Sequence, residues 1–305
     1  MLASAKTYFI STAGKAGSGF IRGLVLLVLG AWFLCVTPAV FGQTDPNSPT
    51  TLWVPILYGN NNFPDPSADQ QTGSPESDIV GNLSQPSLYM QYANGWLGFR
   101  FRIGADKNPP GFNGAAFVGL DANLNGSLDL FIGVNNSGSA NQVGIWYAGA
   151  GLNTSPNTTT IVTPAQTSDS ETALNYGFAP VTAVNDPGAL SFDLNGDGKT
   201  DQFLTFFVPF SAIISPLAVQ GIVFSLNSPM QMVAATATQA NSLNQDLNGV
   251  NGGINSSLSW QQLGATSQTY LPTGITPVPE PSALALLGVA GSLSLLVFAR
   301  QKRRA

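Results

Sequence analysis

The sequence has no histidine, and its single cysteine, Cys35, lies in an N-terminal apolar run. A mature body without imidazoles or thiols cannot form disulfides, zinc sites built on histidine or cysteine, or a nucleophile paired with histidine. Charged residues are also scarce, at 9% of the chain, against about 25% in an average soluble protein. These absences exclude several large classes of hydrolases and zinc proteins.

The few charges are unevenly distributed. Between residues 43 and 277 the chain has four basic and fifteen acidic side chains, a net charge of −11. This negative body disfavours nucleic acid, because it has few cations to neutralise phosphates, but it suits divalent cations. Glycine and proline are abundant, at 33 and 21 residues, and 44% of the chain is hydrophobic. The composition therefore favours a β protein with many turns over a helical bundle.

Residues 1–42 have the pattern of a signal peptide. Basic residues precede an apolar stretch at 23–36, which is shorter than the roughly 20 residues that a membrane-spanning helix needs. Val40 and Gly42 are small residues at −3 and −1, so we expect signal peptidase to cut after Gly42. An uncleaved membrane anchor is the alternative.

Three elements follow one another at the C-terminus. The stiff segment Val278-Pro279-Glu280-Pro281 cannot continue a helix. Residues 282–299 form an uncharged apolar run that is long enough to span a bilayer. The basic cluster at 300–304 predicts a cytoplasmic end, because cytoplasmic flanks are rich in lysine and arginine. With a secretory start, this orientation places the intervening chain outside the inner membrane.

Residues 277–305 resemble the PEP-CTERM sorting signal of Gram-negative bacteria, with Val278, Pro279, Glu280 and Pro281 as the sorting motif. The resemblance implies that an exosortase, a membrane-embedded processing enzyme, is a partner. It also implies a precursor anchored in the inner membrane and a product at the cell surface or in the extracellular matrix. Proteins of this kind often occur in bacteria that make exopolysaccharide and biofilm. A single-pass anchor with a proline-rich stalk is the other interpretation.

The body at 51–265 has strand-like runs separated by clusters of glycine, asparagine, proline and serine. This pattern predicts an all-β fold, a single antiparallel β-sandwich of the jelly-roll or immunoglobulin-like class. A polar segment at 43–50 precedes it, a stalk at 266–276 follows it, and one short helix is expected after Pro209. The predicted strands are 52–58, 87–92, 96–103, 115–120, 128–134, 142–147, 203–208, 221–226 and 232–236.

The run at 96–103 alternates between apolar and other residues, the period of a half-buried strand. Arg100 and Arg102 fall on its second face, where we expect solvent, with acidic polysaccharide as another possible contact. Asn94-Gly95 just before it predicts a tight hairpin turn. Two low-complexity stretches, 152–167 and 239–257, are expected to be surface loops. The body loosely resembles family-nine carbohydrate-binding modules and DOMON domains, although DOMON haem ligation requires a histidine that this chain lacks.

Two segments share the pattern D-x-N-x-[DN]-G-x-x-D, at 121–129 and 193–201. Alternate oxygens of such a loop converge on one point and the glycine permits a sharp turn, which suits Ca²⁺ and resembles the loops of EF-hand, dockerin and thrombospondin type-3 sites. The predicted ligands are Asp121, Asn123, Asn125 and Asp129 in the first loop, and Asp193, Asn195, Asp197, Lys199 (through its carbonyl) and Asp201 in the second.

Both segments depart from the EF-hand pattern. The glutamate expected at position 12 is Ile132 in the first loop and Leu204 in the second, and strands rather than helices are expected to flank them. Because aspartate, asparagine and glycine are also preferred turn residues, plain acidic turns are the alternative. A third patch at 244–253 is interpreted as a plain loop.

Three functions fit these observations. The first is an exported, non-catalytic cell-surface or extracellular-matrix protein with calcium-stabilised loops. The second is a carbohydrate-binding module for the producer's exopolysaccharide, in which tryptophans that could otherwise be core residues stack on sugar rings. The third, a secreted hydrolase with a carboxylate pair, is disfavoured because the acids cluster in turns. The candidate tryptophans are Trp53, Trp96, Trp146 and Trp260.

Overall fold

The computed structural model describes residues 44–274, except 59–60 and 108–109. The predicted signal peptide at 1–42 and the predicted sorting tail at 277–305, with its membrane helix, lie outside these residues. No helix within the described ranges has both the length and the hydropathy that crossing a membrane requires.

The described part of the chain is mostly β-structure. Its two α-helices are α1 Phe210–Val219 and α2 Trp260–Leu263. Its strands, in chain order, are β1 Val54–Pro55, β2 Leu57–Tyr58, β3 Asn61–Asn62, β4 Leu88–Ala93, β5 Trp96–Ile103, β6 Ala115–Asp121, β7 Leu130–Asn135, β8 Gln142–Tyr147, β9 Thr167–Ser170, β10 Tyr176–Pro180, β11 Gln202–Pro209, β12 Gln231–Ala237 and β13 Asp246–Leu247.

The strands form two larger antiparallel sheets, as in the predicted β-sandwich. One sheet has five strands in the order β1-β4-β5-β11-β10, and the other has six in the order β13-β12-β6-β7-β8-β9. Strands β2 and β3 pair separately. Side chains from both larger sheets meet in one buried cluster, so the core lies between them. Its members include Leu97, Phe99, Phe101 and Ile103 of β5, Phe206 of β11, Val118 and Leu120 of β6, and Ile132 of β7.

The predicted hairpin is confirmed. Strands β4 and β5 pair from Ala93 opposite Trp96, and the two residues between them have positive φ, 52° at Asn94 and 84° at Gly95. Two consecutive residues of this kind define the turn that matches strand twist. The helix after Pro209 is also confirmed as α1. The predicted strand at 221–226 is wrong: this stretch is irregular after α1, and Val223 is 92% exposed.

Irregular chain covers the outer face of the six-stranded sheet. Phe117, Phe131 and Trp146 point away from the central core and pack against residues that follow or precede the strands. Among the covering residues, Ile161 and Leu243 come from the two low-complexity stretches. These stretches are therefore packed parts of the fold, which differs from the expectation of surface loops.

The outer face of the five-stranded sheet is covered too, and this overturns the expectation for Arg100 and Arg102. Both side chains are fully buried. The Arg100 guanidinium lies 4.3 Å from the centre of the Trp53 ring, and one of its Nη groups donates to the Pro46 carbonyl at 2.8 Å. A planar guanidinium can stack on aromatic rings while donating in its plane, which makes this burial feasible.

Arg102 is held by two carboxylates. Its Nε donates to Asp201 at 2.7 Å, and one Nη donates to Asp186 at 3.0 Å. Its other Nη donates to the Ser191 carbonyl at 2.7 Å. This network joins β5 to the chain that precedes β11.

The predicted stalk also contributes to the body. Tyr270 is fully buried and pairs with Met230 through a β-bridge. Its hydroxyl accepts the backbone N–H of Leu57 at 2.6 Å. Packed structure therefore continues to Tyr270, beyond the predicted end of the sandwich at residue 265.

Asp201→Ala should destabilise the protein by about 3 kcal/mol, because it leaves a buried arginine with one of its two carboxylates missing. Asp169→Ala is the control, since this carboxylate is exposed on β9 and belongs to neither loop. Urea denaturation measures both free energies of unfolding. Equal, small losses in the two variants would contradict the role assigned to Asp201.

Candidate functional site

The two predicted calcium loops occupy connections next to strands. The first, 121–129, joins β6 to β7, and the second, 193–201, leads directly into β11. The residues at position 12, Ile132 and Leu204, are fully buried in the core between the sheets. They cannot act as ligands, so any bound ion would depend on positions 1 to 9.

The two loops share one hydrogen-bonding scheme at position 1. In the first loop the Asp121 carboxylate accepts the backbone N–H groups of Asn125 at 3.0 Å and Gly126 at 2.7 Å. In the second, Asp193 accepts those of Asp197 at 3.2 Å and Gly198 at 3.0 Å. Positions 4 and 6 have positive φ in both loops, which explains the glycine at position 6.

The later positions repeat the same scheme. The side-chain oxygen at position 3 accepts the backbone N–H of position 5. In the first loop Asn125 donates to Asn123, and in the second Asp197 donates to Asn195. The position-5 oxygen accepts the N–H of position 7, which is Ser127 in one loop and Lys199 in the other. Two segments with the same sequence pattern thus fold alike, and their backbones hold the oxygens in a turn. Fixed oxygens are compatible with a cation, and equally with a closed acidic turn.

The position-9 acids have different surroundings. Asp129 accepts the N–H of Ala122 at 2.8 Å, and burial raises its pKa to about 6. Asp201 accepts the N–H of Leu194 at 3.2 Å but also forms the buried ion pair with Arg102. Burial raises the pKa of Asp201 to about 6 even though Arg102 acts in the opposite direction. The second loop is therefore anchored by an arginine, whereas the first is not.

Neither loop brings three acidic ligand atoms within 4.8 Å of one another, but another part of the described chain does. The three carboxylates are Asp65, Asp69 and Asp246. Sequence reasoning missed them, because Asp246 lies in the patch interpreted as a plain loop and is far along the chain from the other two. The sequence offered one weak signal, an acidic residue inside an otherwise uncharged stretch at 239–257.

The candidate tryptophans are mainly core residues. Trp53, Trp146 and Trp260 are each less than 5% exposed, and Trp96 is partly buried against the cluster around Trp53. The indole N–H of Trp260 donates to the Asn153 carbonyl at 2.8 Å. The three buried rings present no open face of the kind that stacks on a pyranose, whereas the half-buried Trp96 lines a cavity of about 500 Å³.

Comparison with protein families matches one segment. Residues 277–304 fit the model of the PEP-CTERM protein-sorting motif. The chain carries a PEP-CTERM sorting motif. The match includes Val278, Pro279, Glu280 and Pro281, which lie outside the described residues. Comparisons with curated proteins and with solved structures find no match.

The PEP-CTERM motif indicates an extracellular protein that is sorted by an exosortase. It implies export and a membrane-anchored precursor, which the exosortase processes. The motif covers the tail alone, so the body must be interpreted from its own residues.

Proposed function

We propose that the protein is a non-catalytic component of the cell surface or extracellular matrix of a Gram-negative bacterium. In this proposal signal peptidase removes residues 1–42 and an exosortase processes the tail. The β body is then the part that functions outside the cell. The observation that carries the proposal is the PEP-CTERM motif at 277–304.

The surroundings of Glu76 support a non-catalytic role. Glu76 is 1% exposed and pairs with Lys107, with 2.8 Å between Oε2 and Nζ. A glycosidase needs two carboxylates facing one substrate across about 5 to 9.5 Å. A buried glutamate held by a lysine does not suit that work.

Ca²⁺ in the loops at 121–129 and 193–201 is the second part of the proposal. Their shared hydrogen-bonding scheme supports it, because it fixes carboxylate and amide oxygens in advance of binding. With no glutamate at position 12, we expect the millimolar affinity that is typical of extracellular modules.

The alternative is a carbohydrate-binding module for the producer's exopolysaccharide. A cavity of about 440 Å³ beside the first loop favours it, since Asp121, Asn125, Gln231 and Trp260 line the cavity with polar atoms and one indole. Trp260 is only 3% exposed, however, and stacking requires an open ring face. Screening of the mature protein against a glycan array distinguishes the two functions.

Glu280→Ala should block sorting, because it changes the motif that we expect the exosortase to recognise. The variant is expected to accumulate in the membrane fraction with its tail intact, whereas the wild-type tail is removed. Cell fractionation and intact mass spectrometry measure both properties in the producing bacterium. Ser282→Ala, which lies within the matched segment but follows Val278-Pro279-Glu280-Pro281, is the control. Processing of the Glu280→Ala variant at the wild-type rate would contradict sorting.

Asp193→Ala combined with Asp197→Ala should reduce the rise in melting temperature that millimolar Ca²⁺ produces, because it removes positions 1 and 5 of the second loop. Thermal denaturation with Ca²⁺ and with a chelator measures the shift. Asp169→Ala, at an exposed acid on β9, is the control. If the double variant and the control respond equally to Ca²⁺, the second loop does not bind it.

A further inference from the structure

Three carboxylates converge where a long irregular segment meets the edge of the six-stranded sheet. Asp65 follows β3 and forms a β-bridge with Gly81. Asp69 is four residues later, after a turn at 67–68. Asp246 begins β13, the edge strand. One oxygen of each of the three lies within 4.8 Å of the others.

Backbone N–H groups hold these carboxylates in place by one oxygen each. Asp65 Oδ1 accepts the N–H of Gly249, Asp69 Oδ2 accepts that of Gly252 at 2.8 Å, and Asp246 Oδ2 accepts that of Ile79 at 2.6 Å. Gly249 has a φ of +85° and faces the Phe63 ring, so a larger residue would disturb this anchor.

The second oxygen of each carboxylate has no partner. Asp65 Oδ2, Asp69 Oδ1 and Asp246 Oδ1 are all buried without a hydrogen bond. Asp65 and Asp246 are only 4% and 0% exposed, so bulk solvent does not reach them. Buried polar atoms normally have a partner, and an unpartnered oxygen on each of three neighbouring carboxylates is exceptional.

The local charge is uncompensated as well. No lysine or arginine of the described residues forms a salt bridge with the three acids. A fourth carboxylate, Asp78, is 1% exposed and adds to the negative potential at Asp65 and Asp246. Either protons or a cation must neutralise such a group.

A cation accounts for the geometry better than protons do. One proton joins two oxygens, whereas here three unpartnered oxygens belong to three residues that are each oriented by a separate N–H donor. Ca²⁺ binds oxygens at 2.3–2.6 Å, so ligands on opposite sides of the ion are about 4.8 Å apart. Metal ligands that are oriented by hydrogen bonds through their other atom are a regular feature of metal sites.

We propose that Asp65, Asp69 and Asp246 bind one Ca²⁺ ion with ligands distinct from those of the two sequence-predicted loops. The site borders the second loop, because the neighbouring Asp78 carboxylate accepts a hydrogen bond from the Asn195 side chain. Carboxylates, with water completing the coordination shell, form the all-oxygen set that hard cations prefer.

A bound ion would connect segments that belong to the two sheets. The segment at 65–81 carries Asp65 and Asp69, and its Ile79 forms a β-bridge with Ile103 of the five-stranded sheet. Asp246 belongs to the six-stranded sheet. An ion between them links chain from both sheets and should stabilise the body as any ligand of the folded state does.

The test uses the mature protein, freed of metal with a chelator and titrated with Ca²⁺ in a calorimeter. We expect Asp246→Asn to weaken one Ca²⁺ site at least about tenfold, since it removes a ligand charge. Asp69→Asn should also weaken the site at least about tenfold. Asp69 is half-buried, so its substitution disturbs folding less and replaces Asp246→Asn if that variant does not fold. The variant with Asp193→Ala and Asp197→Ala should retain Ca²⁺ binding at this site. This result would distinguish the site from the second loop.

Proton sharing is the competing explanation, and it gives a different result. Asparagine resembles a protonated aspartate, so Asp69→Asn and Asp246→Asn would then preserve or raise the melting temperature in chelator. They would also leave the Ca²⁺ stoichiometry and affinities unchanged. Wild-type Ca²⁺ binding in both variants would overturn the proposal, whether or not the loops bind the ion.

Discussion

Both sheets of the body carry large apolar side chains on their outer faces, such as Phe117 and Trp146 on one and Phe203 and Phe207 on the other. Apolar surface of this extent must be covered, and here irregular chain covers it. The irregular chain that covers these faces buries charged side chains together with the apolar side chains. Each buried charge then needs compensation where it lies, because an unpaired charge in the interior is costly.

The two kinds of buried charge are compensated differently. On the five-stranded sheet, arginines meet aromatic rings and carboxylates, and Arg102 contacts both Asp186 and Asp201. At the edge of the six-stranded sheet, Asp65 and Asp246 have no such partner among the described residues. In our account an extracellular cation compensates them, which fits a domain that a PEP-CTERM motif sends out of the cell.

The parts of the fold that the sequence predicted depend on local patterns. Alternation and turn chemistry located β5 and its hairpin, because Asn94 and Gly95 accept positive φ wherever they occur. Strand β9, Thr167–Ser170, is fully polar and owes its conformation to pairing with β8, so periodicity gave no sign of it. Arg100 and Arg102 alternate with core residues just as solvent-facing ones would, and only the covering chain reveals that they are buried. The sequence-predicted loops share a local motif, whereas the carboxylate cluster joins residues about 180 positions apart and has none.

A bound cation should stabilise the junction between the segment at 65–81 and β13. Hydrogen–deuterium exchange of the mature protein, with Ca²⁺ and with a chelator, tests it most directly. We expect Ca²⁺ to slow exchange at the anchoring N–H groups of Ile79, Gly249 and Gly252, and to leave exchange at the centre of β7 unchanged. Equal exchange at these three groups in both conditions would contradict it.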